Sequence, residues 1–289
     1  MKIAIGLPNW LPGIPGRDLV EFARRAEAAG FSSLGTIGRI VFDSHEELIA
    51  LAACAAVTQR IGLATTVAIG PVRETTLLAK QAATLDAISG GRLALGLGVG
   101  WRPDDFVATG TAAAFEKRGL VLDGQIRTLR QVWAGEKLPG GGSAVGPTPA
   151  RAGGPEIWIG GQTPAALARA GKLADGFLAA AVPGPVVAQQ HAAVSAAAKA
   201  AGRPVPRLSA ARYFVLGDDA RARAEANVRA YYGIGGDALV QGVLSALLTQ
   251  PEQVRAAVRE LTAVGVDETF FWTTSPDLDQ IDRLAKVVF

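Results

Sequence analysis

Residues 60–100 read RIGLATTVAIGPVRETTLLAKQAATLDAISGGRLALGLGVG. RIGLATTV at 60–67 is apolar and β-branched, which predicts a strand. TTLLAKQAATLDAI at 75–88 carries apolar residues at helical spacing, and SGG at 89–91 closes that helix. RLALGLGV at 92–99 predicts a second strand, the clearest in the chain. A strand, a helix and a second strand in so short a span form the crossover unit of a parallel sheet.

Outward from this unit the rhythm repeats. Toward the N-terminus, KIAIGL at 2–7 predicts a strand, and residues 17–29 a helix with Leu19, Phe22, Ala23 and Ala26 on one stripe and Gly30 behind it. SSLGTI at 32–37 is a weaker strand. Ser44 is a candidate N-cap, with Glu47 completing a capping box, for a helix to about Thr58. Beyond residue 100 come a loop from Trp101 to about Thr111, a helix over 112–134 and a Gly/Pro-rich stretch at 135–154. Strands follow at 156–161, 175–182, 207–216 and 267–274. Helices are expected at 164–171, 185–201, through the 220s behind Asp218 and Asp219, at 251–263 and at 277–288.

Eight strands alternating with helices predict an α/β chain folded as a (β/α)8 TIM barrel with insertions after strands 4 and 7. Residues 1–289 are expected to form one domain, with 135–154 an excursion over its surface. A doubly wound sheet is the competing architecture. It would place G-x-G-x-x-G after the first strand, where this chain has GLPNW instead.

Composition narrows the function. Lys plus Arg number 29 against 26 Asp plus Glu, a net charge of +3 spread along the chain. Scattered charge argues against a nucleic-acid partner and leaves a small-molecule substrate. No stretch offers the ~20 apolar residues of a membrane span, and the apolar run at the N-terminus is too short for a signal segment, so a cytoplasmic location is expected. The one cysteine, Cys54, lies in an alanine-rich helix and reads as an inert core thiol. His45 and His191 are the only histidines and form no metal-ligand spacing, so no metal is expected.

Barrel chemistry sits where strands end. That rule selects Pro8, Asn9 and Trp10 after the first strand, Arg39 after the second, and Thr65, Thr66 and Val67 after the third. It adds Gly98, Val99, Gly100 and Trp101 after the fourth, and Gly160, Gly161, Gln162 and Thr163 after the fifth. Glycines allow close backbone approach and the aromatics suit a flat ring. The Gly160–Thr163 turn precedes a helix, a cradle for phosphate. No nucleophile–base pair and no paired carboxylates appear, which fits an enzyme whose cofactor carries the chemistry. Trp10, Arg39 and Trp101 are then candidate substrate contacts, and Arg39 is the one charged candidate for a catalytic role.

Several segments in order resemble the bacterial luciferase-like monooxygenase superfamily, and within it the coenzyme F420-dependent oxidoreductases. They are residues 60–110, F-x-x-R-G-x-x-L-D at 115–123, LRQVW at 129–133, IWIGGQTPAALARAGKLADGF at 157–177 and the tail VGVDETFFWTTSPDLDQIDRLAKVV. The resemblance implies hydride transfer between F420 and an organic substrate. An FMN-dependent monooxygenase is the alternative, and a non-catalytic flavin binder the second alternative. It also implies a homodimer, a cis Thr66–Val67 peptide backing the cofactor ring, Gly98 and Val99 beside that ring, and Gly160–Gln162 at its phosphate. Arg102, Arg151 and Lys172 are candidates to meet an anionic F420 tail. The second strand, SLGTIGR at 33–39, departs from the pattern. Relatives often carry tryptophan and aspartate where Gly35 and Gly38 stand, which predicts a wider pocket. Arg39 stands where some relatives place a proton-donating histidine.

Overall fold

The computed structural model describes residues 1–218 and 220–289, except for the side chains of Ala220 and Arg223. The predicted alternation is present. β1 (Lys2–Gly6) leads to α1 (Gly16–Ala28), β2 (Ser33–Thr36) to α2 (Glu47–Val57), and β3 (Gly62–Thr65) with β4 (Ala68–Ile69) to α3 (Thr75–Ser89). β5 (Leu93–Gly98) is followed by α4 (Pro103–Ala108) and α5 (Arg118–Trp133), and β6 (Glu156–Gly160) by α6 (Pro164–Leu173). β7 (Gly176–Ala179) precedes α7 (Gly184–Ala200). β8 (Arg207–Phe214) precedes α8 (Ala220–Tyr232), α9 (Asp237–Ser245) and α10 (Pro251–Ala263), and β9 (Glu268–Thr273) precedes α11 (Asp279–Val288).

All pairings are parallel, and the order β3-β2-β1-β9-β8-β7-β6-β5-β4 closes through a β3–β5 pairing. β3 and β4 are two halves of one barrel strand, parted at Thr66–Val67, so the barrel has eight strands. α4 after the fourth barrel strand, and α8 to α10 after the seventh, are the insertions.

The barrel interior is filled by rings set against glycines. Trp158 and Phe270 come from strands that are not neighbours, yet their rings meet edge-on at 6.1 Å across the interior. A Cβ on Gly176 would lie 2.4 Å from the ring of Trp158, one on Gly35 2.8 Å from Phe270, and one on Gly6 2.2 Å from Trp272. The wider pocket predicted from Gly35 and Gly38 is therefore not formed. Phe270 takes the space beside Gly35. The carboxylate of Glu47 takes that beside Gly38, where a Cβ would lie 2.4 Å from Oε1.

Several local expectations are corrected. α2 begins at Glu47 and is capped by Glu46, whose side chain accepts from the Ile49 N–H at 2.7 Å, rather than by Ser44. The loop expected over 101–111 contains α4, and the helix expected over 112–134 starts only at Arg118. Asp218 precedes α8, while Asp219 lies outside the described residues. Residues 134–155 form neither helix nor strand. Cys54 is buried, its thiol pushed up to about 12 by burial, as an inert core position requires.

Candidate active site

The floor of the C-terminal mouth is the break between β3 and β4. The Thr66–Val67 peptide is cis. Thr66 N–H donates to the Thr36 carbonyl at 2.7 Å, and Thr65 Oγ1 to the Gly96 carbonyl at 2.7 Å, which pins the break to the strands on both sides. Val67 is thereby laid across β5 and β6. A Cβ added at Gly98 would lie 2.7 Å from Val67 Cγ2, and one at Gly160 3.0 Å from Val67 Cγ1. Thr66, Val67, Gly98 and Gly160 are thus brought together, with Val99 beside them in the margin of the core.

On the next strand Thr163 caps α6, accepting from the Ala166 N–H at 3.3 Å. Gly161 has a φ of +148° and packs its Cα against Ala166, where a Cβ would lie at 2.6 Å. Gln162 and Thr163 are exposed at this helix start. Gly100 turns the chain out of β5 with a φ of +72°, its Cα against Ile69 and Phe106.

Opposite this floor the mouth is walled by aromatic side chains. The chain has three tyrosines, and all of them are here. Tyr213 ends β8, and Tyr231 and Tyr232 end α8. The Tyr213 and Tyr232 hydroxyls are hydrogen-bonded to each other. Trp10 is fully buried beneath them, its ring centroid 5.3 Å from Tyr231 and 5.8 Å from Tyr213. Burial raises all three phenols above their ordinary value, so they are neutral at physiological pH. Sequence reasoning missed these residues because two of the three lie on an inserted helix rather than at a strand end. Their scarcity was the available signal.

Arg39 joins the loop after β2 to this wall. Its guanidinium lies 4.3 Å from the Phe42 ring and 4.8 Å from the Tyr231 ring. It donates to the Tyr231 carbonyl at 2.7 Å and to the Val41 carbonyl at 3.0 Å. Asn9, also fully buried, spends its amide on the backbone: it donates to Ile37 at 2.9 Å and to His45 at 3.0 Å, and accepts from Ile37 N–H at 3.2 Å. Pro8 is buried beside it in a 3-10 turn. His45 is structural too, its Nε2 2.7 Å from the Ile14 carbonyl. Asp105, absent from the sequence-based candidates, holds the Ile40 and Val41 N–H groups at 3.0 and 2.8 Å through Oδ1.

The proposed rim cations separate. Arg102 is buried at the mouth against Asp104, whose carboxyl it holds below the usual range, with its other guanidinium edge near the exposed Trp101. Arg151 instead pairs with Glu156 at 2.7 Å, at the start of β6 and so at the opposite end of the barrel. Lys172 is in the last turn of α6, which also runs away from the mouth. Neither can meet a ligand there. Buried polar atoms with no partner among the described residues also cluster around the mouth: Thr36 Oγ1, Trp10 Nε1, Asp105 Oδ2 and Arg102 Nη1.

A closed parallel barrel with a broken third strand and a glycine-lined mouth defines a (β/α)8 scaffold with its site at the C-terminal ends of the strands. The particular family follows from comparison: residues 4–269 match the luciferase-like monooxygenase family, and the chain belongs to that family. Among curated relatives, Rv0953c of Mycobacterium tuberculosis is 38% identical over 89 residues, 31% of each chain. Mb0965c of Mycobacterium bovis is 32% identical over 186 residues, 55% of this chain and 64% of the relative. The alignments thus span less than two thirds of either relative. Three solved structures share the fold. The monooxygenase RslO1 from Streptomyces bottropensis aligns with TM-score 0.80 and 22% identity over 99% of this chain and 97% of its own. An F420-dependent secondary alcohol dehydrogenase, solved with an F420–acetone adduct, aligns with TM-score 0.84 and 17% identity over 100% and 98%. The FMN-bound oxygenating component of 3,6-diketocamphane monooxygenase from Pseudomonas putida aligns with TM-score 0.76 and 17% identity over 99% and 97%.

Proposed function

We propose that this protein is an oxidoreductase that holds an isoalloxazine-type cofactor on the Val67 floor, and that FMN-dependent monooxygenation is its activity. The mouth residues fit such a ring. Val67, packed down onto the Cα atoms of Gly98 and Gly160, offers an apolar bed. Thr36 Oγ1 and Trp10 Nε1 are buried groups in want of a partner, and the α6 start with Gly161, Gln162 and Thr163 suits a phosphate. When bound, reduced FMN supplies the electrons with which one oxygen atom of dioxygen enters the substrate and the other leaves as water.

The observation that favours this over F420 is the state of Arg39. Reduction of a carbonyl by hydride needs a proton donor, and at this position the chain has a guanidinium, a poor acid, whose two terminal nitrogens bond backbone carbonyls while its Nε is buried without a partner among the described residues. Arg39 thereby orders the cover of the site rather than moving a proton. Trp10, Phe42 and the three tyrosines keep water from the ring, which oxygen chemistry requires. Relatives of both kinds exist, one acting with F420 and one binding FMN, so F420-dependent hydride transfer is the second reading. Trp101, exposed at the outer rim, remains the proposed substrate contact, whereas Trp10 has no accessible surface beneath the tyrosines and is withdrawn from that role.

Titration of the purified protein with FMN and with F420, followed by fluorescence, separates these readings. Saturable FMN binding and oxygen-dependent product formation support the first. Binding of F420 alone overturns it in favour of the second, and binding of FMN without turnover favours a non-catalytic flavin protein. Gly98→Ala presses on Val67 and is expected to weaken cofactor binding about tenfold or more, which a steric cost of about 1–3 kcal/mol allows.

We also assign the α2–α3 face to a second copy of this chain, as the resemblance implies, in a single-domain cytoplasmic homodimer. Ile49, Leu77 and Ile88 are each more than half exposed around a groove of about 320 Å³, an apolar patch of the kind that marks an interface. Ile49→Glu with Leu77→Glu is expected to give a monomer in sedimentation velocity. A wild-type monomer would overturn the assignment. Among the described residues no helix is long and apolar enough to cross a membrane.

A further inference from the structure

The opposite end of the barrel holds a second cavity, of about 270 Å³, that the flavin reading does not use. Register places it on the barrel axis. Lys2 pairs with Glu268, Ser33 with Gly62, and Gly176 with Arg207, all at strand starts. Ala64, Ala94 and Trp158 close its inner end.

Five cations line it, Lys2, Arg60, Arg92, Arg151 and Arg207, against two carboxylates, Glu156 and Glu268. The carboxylates are already engaged. Glu156 takes Arg151 at 2.7 Å, Arg207 at 3.7 Å and the Trp158 indole N–H at 2.9 Å. Glu268 takes the hydroxyls of Ser32 and Ser33 at 2.6 and 2.8 Å and lies 4.0 Å from Arg207. Arg92 spends its guanidinium on Thr58, Ile61, Ala55 and Ser89 oxygens and forms no ion pair among the described residues, and burial lowers its pKa. Lys2 forms no ion pair among the described residues. Arg60 feels Glu27 only at a distance, because that carboxylate is turned onto the N–H groups of Gln59, Arg60 and Ile61.

We propose that this N-terminal cavity binds a phosphate dianion, either inorganic phosphate or the phosphate group of a small monoester. An excess of three positive charges around one cavity on the axis focuses positive potential there. Lys2 and Arg60 supply uncommitted donors there, while Arg92 and Arg207 are held in place by their own hydrogen bonds and ion pairs. The site is separate from the mouth, with Trp158, Phe270 and Trp272 packed between them.

Calorimetric titration with inorganic phosphate and with glycerol 2-phosphate, at constant ionic strength in chloride, tests the proposal. Saturable binding of phosphate at one site per chain is expected, and Lys2→Gln with Arg60→Gln is expected to weaken it about tenfold or more. Both side chains are exposed, so the double variant should fold, which unchanged circular dichroism and FMN binding would verify. Lys2→Glu with Arg60→Glu should abolish the heat. Stronger binding of the monoester than of phosphate identifies a phosphorylated metabolite as the occupant, and the reverse identifies free phosphate. Chloride-equivalent heats, or equal affinity in wild type and double variant, would overturn the site.

Discussion

Arg39 and Tyr231 form a latch across the barrel mouth: the guanidinium stacks 4.8 Å from the phenol ring while donating to the same residue's carbonyl at 2.7 Å. One side chain therefore ties the loop after β2 to the end of α8. A ring contact of about 0.5–1 kcal/mol and a charged hydrogen bond of about 1.5–3 kcal/mol act together at this point.

Arg39→Ala should release residues 231–236 without unfolding the barrel. Amide exchange in that segment is expected to quicken about 30- to 900-fold, as loss of about 2–4 kcal/mol of local stability dictates, with strands β1 to β9 unaffected. Arg39→Lys should recover only part of the protection, since an ammonium cannot bond both carbonyls with a planar fork. Unchanged exchange in the alanine variant would remove the latch.

The buried pair at α2 gives an asymmetric prediction. Glu47 is 1% exposed and accepts from Arg73 at 2.7 Å, and Arg73 also reaches Glu46 at 2.9 Å. Burial pushes the Glu47 carboxyl up, against the pull of Arg73. Arg73→Met strands a buried carboxylate and is expected to cost about 3–5 kcal/mol, whereas Glu47→Gln, which removes the charge that needed compensation, should cost less. Urea midpoints of the two variants decide it, and equal losses would count against the argument.

Gly6 should tolerate no side chain. A Cβ there would fall 2.2 Å from Trp272, a buried ring with no room to turn. Gly6→Ala is expected to lower stability by about 1–3 kcal/mol through overpacking, whereas Gly124→Ala, where nothing lies within 4 Å, should be neutral or stabilising. Thermal melts of the two variants provide the comparison.

Stability should depend on pH through the cap of α3. Glu74 accepts from Thr76 N–H at 2.9 Å and from Leu77 N–H, and these bonds hold its carboxyl below the ordinary value of 4.5. A depressed folded pKa contributes stability that is complete above the unfolded value and lost as pH falls through the folded one. The stability advantage of wild type over Glu74→Gln should therefore be present at pH 7 and shrink as pH drops below about 4.5. Denaturant titrations at a series of pH values would show a constant difference if the cap carried no charge term.

Much of the barrel was legible in the chain because its signals are local. RLALGLGV became β5, Gly90 closes α3 with a φ of +68°, and the strand-end rule brought Val67, Gly98 and Gly160 to one place. The capping signal at Ser44 failed because the chain turns there to let Asn9 bind the His45 carbonyl, and the cap passed to Glu46.

By itself, then, the sequence determined the eight-fold alternation, helix stops such as Gly90 and the glycines of the mouth, since periodicity and turn chemistry act between residues close in the chain. Only the tertiary structure decided what fills those glycines. Phe270 beside Gly35, Glu47 beside Gly38 and Tyr231 over Arg39 are contacts that local periodicity does not encode, two of them between residues far apart in the chain. Packing between such residues leaves no periodic trace. The same long-range closure gathered Lys2, Arg60 and Arg207 around one axis at the far end, which no local pattern announces.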